Sequence, residues 1–280
     1  MSTYGRTVLA GIGVLGVSGL AVAALPARVR VRAEVRKRWR TWALAAPVYL
    51  GALYFGGGGA CALAVALGVV AMAEYARMAA LRRAEAAVLS AAAVVLPVLA
   101  WTAPSALGPR TAGLLLVAAA LPALVRGDAV SGFTDAARTA FALLWIAVPL
   151  TGLVTLGPTA AAVGIAVALG DVGAWCGGTF LGRSGALARP LSPLSPRKTW
   201  AGVLGTVVST GLVLWAVGVW SPLLWVAVAL GCVLGDLLES MVKREAGVKD
   251  AGSWLPGFGG LLDRVDSLLL ALLFTTVVTR

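Results

Sequence analysis

Long apolar runs, broken at short polar intervals, fill this chain from end to end. About 20 apolar residues carry an α-helix across a bilayer. On that ruler the runs predict ten transmembrane helices, near residues 5–25, 41–56, 58–75, 86–102, 111–126, 137–156, 158–177, 201–220, 222–240 and 263–279. The second and third are parted only by Gly56–Gly59. Nine spans is therefore the alternative, with those two fused or the first helix peripheral. The first run has a single n-region charge, Arg6, and the basic stretch Arg28–Arg40 follows it directly, which reads as a first membrane helix with a basic flank rather than a signal peptide.

Charge tests this division independently. Twenty of the 23 Lys and Arg residues fall in the odd-numbered connections, and only Arg6, Arg110 and Arg280 fall on the other side. The even-numbered connections are short and almost uncharged. The odd connections therefore face the cytoplasm and both termini face outward. A wrong span count would scramble this alternation. The expected fold class is an all-α polytopic transmembrane bundle of about nine to ten helices with a cytoplasm-facing polar site, in the cell (inner) membrane. An N-terminal helical unit would cover 1–136 and a C-terminal catalytic unit 137–280.

Composition agrees. Hydrophobic residues make up 60% and charged residues 12% of the chain, against about 25% charged in soluble domains. The net charge of +11 sits in interhelical loops, so it marks topology and attraction to anionic lipid, not nucleic-acid binding. The run Ala27–Arg40 is a topology signal, and an amphipathic helix lying on anionic lipid is compatible with that. Cys61, Cys176 and Cys232 are isolated in apolar runs and read as small hydrophobes. There is no histidine. That excludes His-ligated zinc, a Ser-His-Asp triad and histidine general-base chemistry.

Against this background the stretch Gly235–Ser267 stands out, because it holds six of the twelve acids. Acidic residues beside membrane spans mark functional sites by default. Asp236, Glu239, Ser240 and Lys243 are spaced i, i+3, i+4, i+7 and share one helical face at the end of the ninth span. That face suits a hard cation, with a lysine beside it for phosphate. Asp263 and Asp266 open the tenth span, again at i, i+3, followed by Ser267. A hairpin with Pro256, Gly257, Gly259 and Gly260 joins the two helices and permits close approach of backbone to ligand. The bland alternative is a salt-bridged loop capping two helices. Upstream, Asp171 lies in an otherwise apolar run, where a helix-packing hydrogen bond would also explain it. Ser195-Pro-Arg-Lys-Thr-Trp200 then brings hydroxyls and cations to a helix entrance, an arrangement that suits an anion.

Ser240–Asp266 reads S-M-V-K-R-x4-K-D-x-G-x-x-L-P-G-F-G-G-L-L-D-R-V-D. It closely resembles the signature of the phosphatidate cytidylyltransferases, or CDP-diacylglycerol synthases. GDLLES, SPRKTWAG and Asp171 with its following glycines resemble other blocks of that family, so the resemblance covers roughly 171–267. It implies the reaction of CTP with phosphatidate to give CDP-diacylglycerol and pyrophosphate. Asp236 and Asp263 are expected to hold Mg²⁺, assisted by Asp266 and Glu239, with a second cation such as K⁺ as a further option. Lys243 and Arg244 would neutralise the triphosphate. Ser195, Lys198 and Thr199 would bind phosphate, and Asp171 would complete the cavity floor. Ser240, Lys249, Asp250, Gly259, Gly260 and Arg264 complete the expected substrate-binding set. Membrane lipid surrounds the site, and the resemblance implies a homodimer. One departure stands in PGFGG, where the family pattern has histidine and this chain has Phe258. Either that histidine is dispensable, or the chain is a paralogue with altered substrate or reduced activity. Rival readings are a CTP-dependent lipid kinase, a cytidylyltransferase for another lipid phosphate, a catalytically silent paralogue, and a transporter whose acids line an ion path. A transporter would spread its acids through mid-membrane positions, whereas these gather at helix ends.

Overall fold

The computed structural model describes residues 2–24, 32–183, 185–252 and 259–279, excepting the side chains of residues 32–35 and 38. Helices stand at each of the ten places that the apolar pattern marks. They are α1 Thr3–Ala24, α2 Arg32–Tyr54, α3 Gly56–Met78, α4 Arg83–Thr102 and α5 Pro109–Arg126, then α6 Gly132–Thr155, α7 Pro158–Phe180, α8 Trp200–Val217, α9 Pro222–Glu245 and α10 Leu262–Thr279. Among the described residues, all of these except α2 and α10 are long and apolar enough to cross a membrane. α2 starts inside the basic run, and α10 starts with Asp263, Arg264 and Asp266. The molecule is a multi-pass helical membrane protein.

Local chemistry sets the helix ends. Pro109, Pro158 and Pro222 open α5, α7 and α9, where the missing N–H costs nothing. Ser221 caps α9 by accepting from the Leu224 N–H at 3.2 Å. Gly127 and Gly218 end α5 and α8 in the left-handed region, at φ 64° and 75°. α6 is not regular. Pro149 cannot donate to the carbonyl four residues earlier, and the turn before it widens to a π-helical segment over Leu143–Ala147.

The core lies where α3, α4, α6, α7, α9 and α10 meet, with Met72, Leu89, Leu143, Ile146, Leu150, Leu269 and Leu272 fully buried. Leu9, Val17, Leu114, Val125, Leu212 and Leu223 point outward, as a lipid-facing surface requires. Lipid is as apolar as leucine, so membrane helices associate through close backbone approach and interhelical hydrogen bonds. α7 packs on α8, and α9 on α10, more extensively than any other pairs. Gly231 and Gly235 of α9 lie directly on α10. A Cβ at Gly235 would stand 2.5 Å from the Asp266 carbonyl oxygen and 2.8 Å from Ser267 Cα. Ser267 Oγ donates to the Cys232 carbonyl at 3.1 Å, and Thr206 Oγ1 donates to the Gly170 carbonyl at 3.3 Å. Between α7 and α8 the chain forms a short antiparallel hairpin, β1 Pro190–Ser192 and β2 Ser195–Thr199.

A second polar cluster ties α4, α5 and α6 together. Arg126 pairs with the fully buried Glu85 at 2.6 Å and with Asp135 at 3.3 Å, while Arg82 pairs with Asp128 at 3.2 Å. Asp128 also accepts from the Val130 and Ser131 N–H groups and the Ser131 hydroxyl. Hydrogen bonds from Ser131 hold its carboxyl at about 2, below the usual range. Arg126→Met strands the Glu85 carboxylate without its cation. We expect it to lower stability by about 3 kcal/mol, read as a fall in the thermal unfolding midpoint in detergent.

Candidate active site at the α9–α10 junction

The last three turns of α9 carry Asp236, Glu239, Ser240 and Lys243 on one face, and the first turns of α10 carry Asp263 and Asp266. Glycine packing at 231 and 235 brings the two helices close enough for these faces to merge. One carboxylate oxygen each from Asp236, Glu239 and Asp266 lies within 4.8 Å of the others. Glu239 and Asp266 are buried and Asp236 is half-buried.

Three like charges at this spacing need cations. Lys243 Nζ donates to Glu239 Oε2 and to Asp263 Oδ1, both at 2.7 Å. Lys198, reaching in from β2, forms an ion pair with Asp236. Burial pushes the Lys198 ammonium below its usual range, and the neighbouring Asp266, Asp171 and Glu239 carboxylates oppose that shift. Even so, Glu239 Oε1 is buried with no hydrogen-bond partner among the described residues. Three carboxylates gathered this closely could hold a hard divalent cation.

Asp263 is not one of these three carboxylates, but it adjoins Glu239 through their shared Lys243. Its Oδ2 accepts from the Ala251 N–H at 2.9 Å and the Gly260 N–H at 2.7 Å, while Oδ1 faces Lys243. It closes the neck of the loop between α9 and α10. Gly259, at φ +78°, permits that turn, and a Cβ there would stand 2.7 Å from Asp263 Oδ2. Thr199 caps α8, accepting from the Gly202 N–H at 3.3 Å. Ser195 pairs in register with Ser192 at the hairpin turn. Asp171, on α7, is exposed and within electrostatic reach of Lys198 and Arg264. Ser240 is half-buried on the α9 face. Arg244, Lys249, Asp250 and Arg264 are exposed, and Gly260 is buried. Pro256, Gly257 and Phe258 lie outside the described residues, as do Arg28 and Arg30 of the basic run.

Sequence reasoning missed Glu74. This α3 residue is fully buried. Its Oε1 accepts from the Leu261 N–H at 3.0 Å and its Oε2 from the Leu262 N–H at 2.8 Å. A lone acid inside an apolar run was the available signal, but nothing in the sequence pairs it with α10.

The model of the cytidylyltransferase family matches residues 36–280, which leaves α1 outside the match. Among curated proteins, the chain is 44% identical over 108 residues to phosphatidate cytidylyltransferase 4, chloroplastic, of Arabidopsis thaliana, covering 35% of this chain and 26% of that one. It is 42% identical over 114 residues to the phosphatidate cytidylyltransferase of Mycobacterium leprae, covering 38% and 35%. The corresponding protein of Helicobacter pylori is 41% identical over 119 residues, covering 39% and 42%. The chain thus aligns with between a quarter and two fifths of the length of these relatives.

Proposed function

Because the chain belongs to the cytidylyltransferase family, we propose that it transfers the cytidylyl group of CTP to phosphatidate, forming CDP-diacylglycerol and pyrophosphate for phospholipid synthesis. The observation that carries this reading is the meeting of Asp236, Glu239 and Asp266 within 4.8 Å, flanked by Lys198 and Lys243. The similarity to phosphatidate cytidylyltransferases supports a lipid phosphate as acceptor.

An oxygen of the phosphatidate phosphate attacks the α-phosphorus of CTP. The new P–O bond forms as the bond from the α-phosphorus to the bridging oxygen breaks, and pyrophosphate departs with that electron pair. The nucleophile is already anionic near neutral pH, so no general base is required, which suits a chain without histidine. Catalysis is then charge neutralisation and alignment. Asp236, Glu239 and Asp266 would hold Mg²⁺, which when bound supplies positive charge to the CTP phosphates. Lys243 keeps Glu239 and Asp263 oriented, with one of its three N–H donors left for a phosphate oxygen. Lys198, released from Asp236, binds phosphate from the hairpin side, and Arg244 and Arg264 add exposed positive charge. Asp263 anchors Ala251 and Gly260 at the neck of the connecting loop. The charge asymmetry of the connections supports a site facing the cytoplasm at the inner membrane. The acyl chains stay in the bilayer.

Purified protein incubated with labelled CTP, Mg²⁺ and phosphatidate should release liponucleotide and pyrophosphate in equal amounts. Release of CDP with a phosphorylated lipid would replace this reading with a lipid kinase. Lys198→Met should raise the KM for CTP about tenfold or more, the worth of one charge-assisted hydrogen bond. Lys198 is half-buried, and a lysine whose pKa is lowered is charged below that value and neutral above it. CTP affinity should therefore weaken on the alkaline side earlier than for an ordinary lysine. Lys198→Arg, which cannot lose its charge, should remove that alkaline limb from the pH profile.

A further inference from the structure

Granted the transferase reading of the α9–α10 site, we infer that Glu74 is the positioning residue that sets α10 so that Asp266 meets Asp236 and Glu239. The first N–H groups of a helix have no partner within it. α10 begins at Leu262, which is fully buried, and the residue before it, Leu261, has no side-chain acceptor to cap it. The cap comes instead from α3. Each oxygen of Glu74 takes one of these N–H groups, and its negative charge lies at the positive end of the α10 dipole. Two glycines let the backbone come close to this carboxylate. A Cβ on Gly252 would stand 2.6 Å from Glu74 Oε1, and one on Gly260 would stand 2.6 Å from Oε2.

The bidentate contact fixes both the height and the rotation of the first turn of α10. Asp266 is i+4 from Leu262, so it sits one turn further along the same face. An error in either coordinate at Leu262 is carried directly to the Asp266 carboxylate. Asp263 does not duplicate this function, because its oxygens hold Ala251, Gly260 and Lys243. Glu74 itself lies outside the three-carboxylate cluster and acts through the α10 backbone.

Glu74→Gln keeps the volume and one acceptor but turns an NH₂ group towards an N–H. In purified protein we expect Mn²⁺ affinity, read by titration, to fall about tenfold. Turnover should fall about 100-fold, the cost of an ångström-scale misplacement. Amide exchange of Leu261 and Leu262 should accelerate. Glu74→Asp restores the charge on a shorter side chain and should recover part of the Mn²⁺ affinity. A merely structural residue would lower the unfolding midpoint and leave Mn²⁺ affinity unchanged, and that result overturns the inference. So does a parent protein that binds no Mn²⁺, since there is then no assembled site to position. If Glu74→Gln does not fold, Gly260→Ala displaces the same carboxylate and must show the same loss of Mn²⁺ affinity; an unchanged affinity overturns the inference. A parent that binds Mn²⁺ but makes no liponucleotide would instead sink the transferase reading. The Mn²⁺ and exchange measurements would still report on Glu74.

Discussion

Replacing Asp266 with Asn should lower CTP-dependent turnover by about 10³-fold or more while leaving the protein folded. Asp266 is buried and supplies one of three carboxylate oxygens lying within 4.8 Å of one another. Asn keeps the shape but removes the charge that a hard cation requires. A loss of about 4 kcal/mol of transition-state stabilisation corresponds to that factor. Thermal stability should hold, because the change relieves repulsion within a buried group of like charges. The companion variant is Asp263→Asn. It should disturb the loop neck formed with Ala251 and Gly260, and it should leave Mn²⁺ affinity much closer to the parent than Asp266→Asn does. If Asp266→Asn retains full turnover, or if the two variants are indistinguishable in Mn²⁺ binding, the assignment of the cation to Asp236, Glu239 and Asp266 is wrong.

The second large effect comes from an apolar substitution without any charge change. Gly235→Leu places a side chain where a Cβ alone would stand 2.5 Å from the Asp266 carbonyl oxygen and 2.8 Å from Ser267 Cα. Both are backbone atoms and cannot swing aside, so α10 must move away from α9. Overpacking of this kind costs about 1–3 kcal/mol of stability. The greater consequence is for geometry, because Asp236 and Glu239 ride on one helix and Asp266 on the other. Turnover should drop about 100-fold, with a smaller loss for Gly235→Ala. The KM for metal should rise in the same order. A Gly235→Leu protein with parental activity would show that the helices need not touch here for the site to assemble.

Much of this architecture was readable from spacing. Ten apolar runs marked ten helices because the bilayer demands a fixed length of apolar chain and leaves no backbone group unpaired. The starts at Pro158 and Pro222 coincided with the apolar runs, and the ends shifted where α2 began at Arg32 inside the basic stretch, where α6 began at Gly132, and where α9 continued through Lys243–Glu245. The carboxylate face of α9 was equally legible, since i, i+3, i+4 and i+7 are neighbours on any helix. What spacing left open was the division of labour among the acids. Asp263 and Asp266 have the same chemistry and stand three residues apart. Only the positions of Ala251, Gly260 and Lys243 around one, and of Asp236 and Glu239 around the other, give the two their different surroundings. Spacing also left unread that Thr199, expected beside Lys198 as a phosphate ligand, caps α8.

The sequence by itself determined that this chain spans a membrane repeatedly, which connections gather positive charge, and where its acids concentrate, because hydropathy and helical periodicity are local properties. Tertiary structure decided the rest. Glu74 lies 187 residues before Leu261, and Lys198 lies 38 residues before Asp236. Neither pairing has a local signature. Both depend on which elements become neighbours, and in the bilayer close backbone approach at small residues, more than any apolar preference, selects neighbouring helices.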